Sequence, residues 1–205
     1  MKPKYWNKGK LYLSNNDRVL KGIINKFPKE SLLLNSNNYH SLINSIIGQQ
    51  ISVSAANAIK LKFFKLHKNI LPKNVLNFEE DLLRECGLSR QKILYIKNIS
   101  NFFINNKNFF KKINTYKEID IKAKLISIKG VGNWTADMFL LFSYGSSDIF
   151  PQGDLGFIKA ISKSYKKELP LSEAYLKKLQ KKWSPYNSIA TWYLWRSLDP
   201  IPVSY

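Results

Sequence analysis

Apolar residues recur every three or four positions along most of the chain, the period of an amphipathic helix. Tyr39 to Gly48 carries Leu42, Ile43, Ile46 and Ile47 on one face. After a Ser52 or Ser54 cap, Ala55, Ala56, Ile59, Phe63 and Leu66 form another. Glu79 to Glu85 predicts a short helix stopped by Gly87, and Ser89 to about Asn105 places Ile93, Ile96, Ile99 and Phe103 on one stripe. Ile121 to Ile128 and Asn133 to Tyr144 predict two helices flanking a glycine pair. Leu155 to Lys166, Leu171 to Trp183 and Pro185 to Arg196 complete the set, with Ser184 expected to cap the last and Pro185 to occupy its first turn. Strand-like alternation is confined to Leu11-Tyr12-Leu13. The pattern predicts an all-α chain, without internal repeats or a low-complexity linker, that forms a single domain over residues 1–205.

The tightest punctuation is Leu125-Ile126-Ser127-Ile128-Lys129-Gly130-Val131-Gly132-Asn133-Trp134-Thr135-Ala136. Two glycines around one apolar residue allow a tight turn with positive backbone angles, and Val131 can tuck inward between the helices. The N–H groups opening the second helix then face an anion favoured by the helix dipole. Thr135 adds a candidate hydroxyl contact. A Gly-x-Gly alone marks only a helix–helix turn. Without a preceding strand or a third glycine, it is not a dinucleotide fingerprint.

Charge sharpens this picture. Lys and Arg total 33 against 14 Asp and Glu, a formal net charge of +19. Such an excess attracts polyanions, nucleic acid foremost. The chain is also rich in Lys, Asn and Ile, so codon bias contributes, and many lysines fall at helical spacings as solvated faces. No apolar run approaches the ~20 residues that span a bilayer, and no signal core follows the basic N-terminus. A soluble intracellular protein is expected. The single Cys86 excludes an intramolecular disulfide and a Cys-ligated zinc or iron–sulfur cluster made by this chain alone, and reads as a small buried hydrophobe. His40 and His67 are too isolated to form a metal site.

The longer pattern Leu-x-x-Ile-x-Gly-Val-Gly-x-x-Thr-Ala resembles the helix-hairpin-helix motif that grips the DNA backbone. Downstream, Asp148-Ile149-Phe150-Pro151-Gln152-Gly153-Asp154-Leu155-Gly156 places Asp154 where it caps the next helix, and a cap is the simplest role for it. A hairpin followed by a loop-borne Asp is also the arrangement of the helix-hairpin-helix glycosylase superfamily. The resemblance extends to Ile46-Ile47-Gly48-Gln49-Gln50-Ile51-Ser52, to Gly87-Leu88-Ser89-Arg90-Gln91-Lys92 with Tyr95-Ile96, and to the run from Trp183 to Arg196. It covers most of the chain from about Tyr39 and is strongest to the DNA-3-methyladenine glycosylase II family.

That resemblance implies two helical lobes with a cleft between them, a hairpin at about 125–144 and a catalytic loop at about 148–156. It implies Asp154 as the catalytic carboxylate. Trp134, Met138, Trp195 and Gln49 are then base-pocket candidates, and Gly130, Val131, Gly132, Thr135, Gln50 and Ile51 contact DNA. Ordinary core packing remains a competing role for Trp195. The family's bulky apolar wedge is replaced by Gln50, so Gln50 or Ile51 fills the gap left by a rotated nucleotide. The β-rich N-terminal domain of some members is not expected. Lyase members carry lysine where this chain has Trp134, which points to a monofunctional hydrolase. The expected partner is duplex DNA containing alkylated bases. The protein is expected to act as a monomer, with no membrane and no catalytic metal or cofactor, in the cytoplasm (at the nucleoid) or in a nucleus. A sodium or potassium ion at the Ile126, Ile128 and Val131 carbonyls is part of the same resemblance. The competing readings are a non-catalytic helix-hairpin-helix DNA-binding module, a bifunctional glycosylase–lyase, and an interaction protein whose charge reflects codon bias.

Overall fold

The computed structural model describes residues 1–199, and every regular element within them is helical. The chain divides into two compact units. One comprises residues 1–34 together with the described residues from Gly145 onward, and the other residues 35–144.

The first unit holds α1 (Trp6–Asn16), α2 (Arg18–Lys26), α11 (Leu155–Tyr165), α12 (Glu173–Trp183) and α13 (Asn187–Leu198). Leu11-Tyr12-Leu13, expected as strand-like, lies inside α1. In a strand Leu11 and Leu13 would share a face. Here Leu13 is fully buried while Leu11 is 64% exposed, the outcome of a helical turn. The buried face of α1, Trp6, Gly9 and Leu13, meets α13. A Cβ on Gly9 would sit 2.2 Å from Ile189 Cδ1, so glycine sets how closely these helices approach. Trp6 packs edge-on to Trp192 at 5.4 Å.

The last helix starts at Asn187 rather than at Pro185, the expected first helical position, so Pro185 lies before it. Ser184 does not cap it. Its hydroxyl donates to Asp148 Oδ2 at 2.8 Å. Asp148 Oδ1 instead accepts from Asn187 N at 3.2 Å and Asn187 Nδ2 at 2.6 Å, so a carboxylate from a distant loop satisfies the helix N-terminus. Arg196 closes the other end of α13 with a forked ion pair to Glu30 (2.6 and 3.0 Å).

Asp17 joins three helices of this unit. Its Oδ1 caps α2 by accepting from Val19 N and Leu20 N, while Oδ2 accepts from Trp183 Nε1 at 3.1 Å and Lys182 Nζ at 2.8 Å. Burial pushes its carboxyl up, but the donations from Lys182, Trp183 and Leu20 outweigh burial and hold it below its ordinary value. A depressed native pKa stabilises the fold above the ordinary carboxylate range, and that stabilisation is lost as pH falls through the lowered value. Asp17→Ala removes a cap and orphans the Trp183 N–H. It is expected to cost about 3 kcal/mol near neutral pH, from ~1 for the cap and ~2 for the buried donor. Chemical denaturation of parent and variant checks this, and the gap between them should narrow in strong acid.

The second unit holds α3 (Asn38–Gly48), α4 (Val53–Lys65), α5 (Pro72–Asn77), α6 (Glu80–Glu85), α7 (Arg90–Asn105), α8 (Lys107–Lys111), α9 (Glu118–Ile126) and α10 (Asn133–Phe139). Its core is α3, whose Leu42, Ile43, Ile46 and Ile47 are fully buried against α4, α7 and α10. Ser52 and Ser89 cap α4 and α7 as their positions predict. The helix expected from Asn133 to Tyr144 changes to π geometry over Leu140–Tyr144. The helices α1, α2, α5 and α8 lie outside the predicted set. α5 and α8 are too short for a hydrophobic stripe to register, and Asp17 divides α1 from α2. None of the described helices is long and apolar enough to cross a membrane.

Candidate active site

The hairpin between α9 and α10 is built from buried Ile128 and Val131 with Gly130 between them. Val131 N donates to Ile128 O at 2.9 Å, closing the turn. Only one of the two glycines is in the left-handed region. Gly130 has φ +103°, whereas Gly132 is extended (φ −93°, ψ −176°) as the N-cap of α10. The turn therefore needs a single positive angle, not the expected pair. A Cβ at Gly130 would lie 2.2 Å from Tyr95 Cγ, and one at Gly132 would meet nothing within 4 Å. Gly130 is required by the fold. At Gly132 the fold leaves room for a side chain that the sequence does not supply.

Several contacts brace this turn. Asn98 Nδ2 donates to Lys129 O at 3.1 Å, and Gln49 Nε2 donates to Thr135 Oγ1 at 2.9 Å and Gly130 O at 3.3 Å. Lys122 and Asp137 form an ion pair at 2.5 Å between α9 and α10. Burial raises the Asp137 carboxyl, only partly countered by Lys122. Lys92 Nζ donates to Ile47 O at 2.7 Å near the end of α3, and burial lowers its ammonium.

This bracing changes several sequence-based assignments. Thr135 is 1% exposed with its hydroxyl bonded to Gln49, so it supports the turn and does not present a hydroxyl outward. Gln49, expected as a base-pocket residue, uses its amide to tie its own loop to the hairpin. Met138 is fully buried, which makes it a core residue of α10 rather than part of an open pocket wall. Trp134 is half-buried in the first turn of α10. Gln50 is exposed with a left-handed backbone (φ +57°), and Ile51 beside it is 38% exposed. A left-handed non-glycine residue costs about 1–3 kcal/mol and marks a position held by its surroundings.

In the other unit, Asp154 is half-buried at the N-cap of α11. Its Oδ1 accepts from Phe157 N at 2.5 Å and from Trp195 Nε1 of α13 at 2.9 Å. The loop leading to it is pinned to α13, with Ile149 N donating to Ser188 Oγ and Thr191 Oγ1 donating to Ile149 O. Phe157, fully buried and edge-on to Phe150 at 4.9 Å, fixes the first turn of α11. Leu155, next to Asp154, is 76% exposed. Trp195 is 6% exposed and joins Asp154 through its ring N–H. The Trp195–Asp154 bond, the Tyr95 ring under Gly130 and the Lys122–Asp137 clamp have no signal in local sequence, since each joins residues far apart in the chain.

Residues 43–185 match the family described as HhH-GPD superfamily base excision DNA repair protein. The chain is 28% identical over 201 residues to DNA-3-methyladenine glycosylase 1 of Schizosaccharomyces pombe, covering 93% of this chain and 86% of that protein. It is 27% identical to the putative DNA-3-methyladenine glycosylase YfjP of Bacillus subtilis, covering 88% of this chain and 66% of that one. The solved structure of the S. pombe 3-methyladenine DNA glycosylase Mag1 in complex with abasic DNA aligns with a TM-score of 0.82 at 25% identity, over 93% of this chain and 96% of that one. Fold, hairpin and family match agree: this chain belongs to the HhH-GPD superfamily of base excision DNA repair proteins.

Proposed function

We propose that this protein is a monofunctional DNA glycosylase that hydrolyses the N-glycosidic bond of alkylated bases in duplex DNA, within the DNA-3-methyladenine glycosylase II branch. The observation that carries this reading is Asp154, a carboxylate held by two donors at the mouth of a helix in a chain of this superfamily. A base stacked in a duplex is out of reach, so its nucleotide is rotated outward. The exposed Gln50–Ile51 pair supplies the group that fills the gap. The backbone at Gly130, Val131 and Gly132 holds phosphate, aided by the open space at Gly132. The sodium or potassium ion expected at the hairpin belongs to this proposal. Ile126 ends α9, and the last carbonyls of a helix lack helical N–H partners, the hard-oxygen chemistry such an ion takes.

Alkylated purines carry positive charge, which the face of Trp134 attracts. As the bond lengthens the sugar gains oxocarbenium character, and Asp154 stabilises that charge and orients the attacking water. A second carboxylate acting as leaving-group acid is unnecessary when the departing base already bears a cation. With tryptophan at 134, no lysine is supplied there for a Schiff base. Such an enzyme works wherever the genome lies, in the nucleoid or a nucleus.

The expected products from methylated duplex DNA are free methylated purine and an intact strand with an abasic site. Chromatography of the released bases, with gel analysis of the strand, checks both. Scission without added base or heat, or a borohydride-trapped complex, would overturn the monofunctional assignment.

A further inference from the structure

The geometry points to Trp195 as a positioning residue that fixes the catalytic carboxylate through its ring N–H, rather than as a wall of the base pocket. This rests on the reading of Asp154 as the catalytic group. A single backbone donor leaves a carboxylate able to swing about its side-chain torsions. Here two donors from different helices, Phe157 N of α11 and Trp195 Nε1 of α13, converge on the same oxygen at 2.5 and 2.9 Å. Two non-collinear hydrogen bonds define both the place and the plane of the group, which is the preorganisation an electrostatic catalyst needs.

The helix that carries the indole is held at several points. At its N-terminus α13 is held by the Asp148 carboxylate, and along its length Ser188 and Thr191 grip Ile149 of the loop that leads to Asp154. Gly156 provides the room. A Cβ there would lie 3.2 Å from Asp154 Oδ1 and 3.7 Å from Trp195 Nε1, crowding the bond between them. Apolar packing alone would be served by any large side chain at 195, whereas a buried indole N–H needs an acceptor, and Asp154 Oδ1 supplies one.

Trp195→Phe and Trp195→Leu both delete the N–H, and only Phe keeps an aromatic face. Single-turnover excision and affinity for the same methylated duplex are measured for each, with thermal melting to confirm folding. The expected result is a loss of about 10- to 100-fold in rate, equal in the two variants, with affinity within about twofold of the parent. Should the Phe variant fail to fold, Gly156→Ala carries the test, since it leaves the indole in place and presses the carboxylate away from it. Excision by Trp195→Phe within twofold of the parent, with only Leu impaired, would overturn the assignment in favour of a pocket wall or plain packing. If Asp154→Asn itself retains the parent rate, the catalytic reading fails and the positioning role fails with it. A dead Asp154→Asn beside an active Trp195→Phe defeats the positioning role alone.

Discussion

Asp154→Asn is expected to lower single-turnover excision of methylated purine by a factor of about 10² or more, while DNA binding stays equal or becomes slightly tighter. In the proposed role the carboxylate repels phosphate in the ground state and helps only as positive charge develops on the sugar, so its removal should act on the rate and not on binding. The substitution is well matched to the structure. Asn caps helices about as well as Asp, and its carbonyl oxygen can still accept from Phe157 N and Trp195 Nε1. Fold and side-chain placement are therefore preserved while one negative charge disappears. The rival view is supported by the same Phe157 bond, which makes Asp154 a fully adequate cap with no chemistry required of it. Under that view the Asn variant excises within a few-fold of the parent, and the chain is a DNA-binding module.

The hairpin glycines are expected to fail in opposite ways. Gly130→Ala places a methyl group 2.2 Å from Tyr95 Cγ at a residue with φ +103°. Backbone strain of about 1–3 kcal/mol and overpacking of about 1–3 kcal/mol add to a loss that is a large share of a typical domain's stability. Denaturant unfolding should show this directly, with DNA binding lost because the turn is lost. Gly132→Asp meets no protein atom within 4 Å and has an ordinary extended backbone, so the melting temperature should barely move. The new carboxylate stands where the hairpin is proposed to receive phosphate, and affinity should fall by about tenfold for every sequence alike. A folded Gly132→Asp variant with parental affinity would remove the hairpin from the DNA-binding surface.

Much of this molecule was legible in the chain itself. The three-to-four spacing of Leu42, Ile43, Ile46 and Ile47 and the stripe Ile93, Ile96, Ile99 on α7 predicted buried helix faces, and these residues are buried. Ser52, Ser89 and Asp154 each cap the helix their position announces. Helix formation and capping depend on neighbours within about four residues, so local sequence contains the information. The hairpin was legible for the same reason.

What local spacing does not encode is which distant group meets each of these residues. Only the tertiary structure decided that Gln49 donates to both Thr135 and Gly130, that Met138 turns to the core, and that one hairpin glycine needs a positive angle while the other does not. The start of α13 at Asn187 depends on Asp148, and Asp17 is both a local cap and the partner of Trp183 and Lys182. The role of Trp195 is the clearest case. Its type and helix were evident from the chain, but its N–H finds Asp154 across 41 residues because the packing of α11 on α13 brings the two together. A polar group excluded from water must be satisfied, and in a folded chain the partner is set by packing rather than by sequence distance.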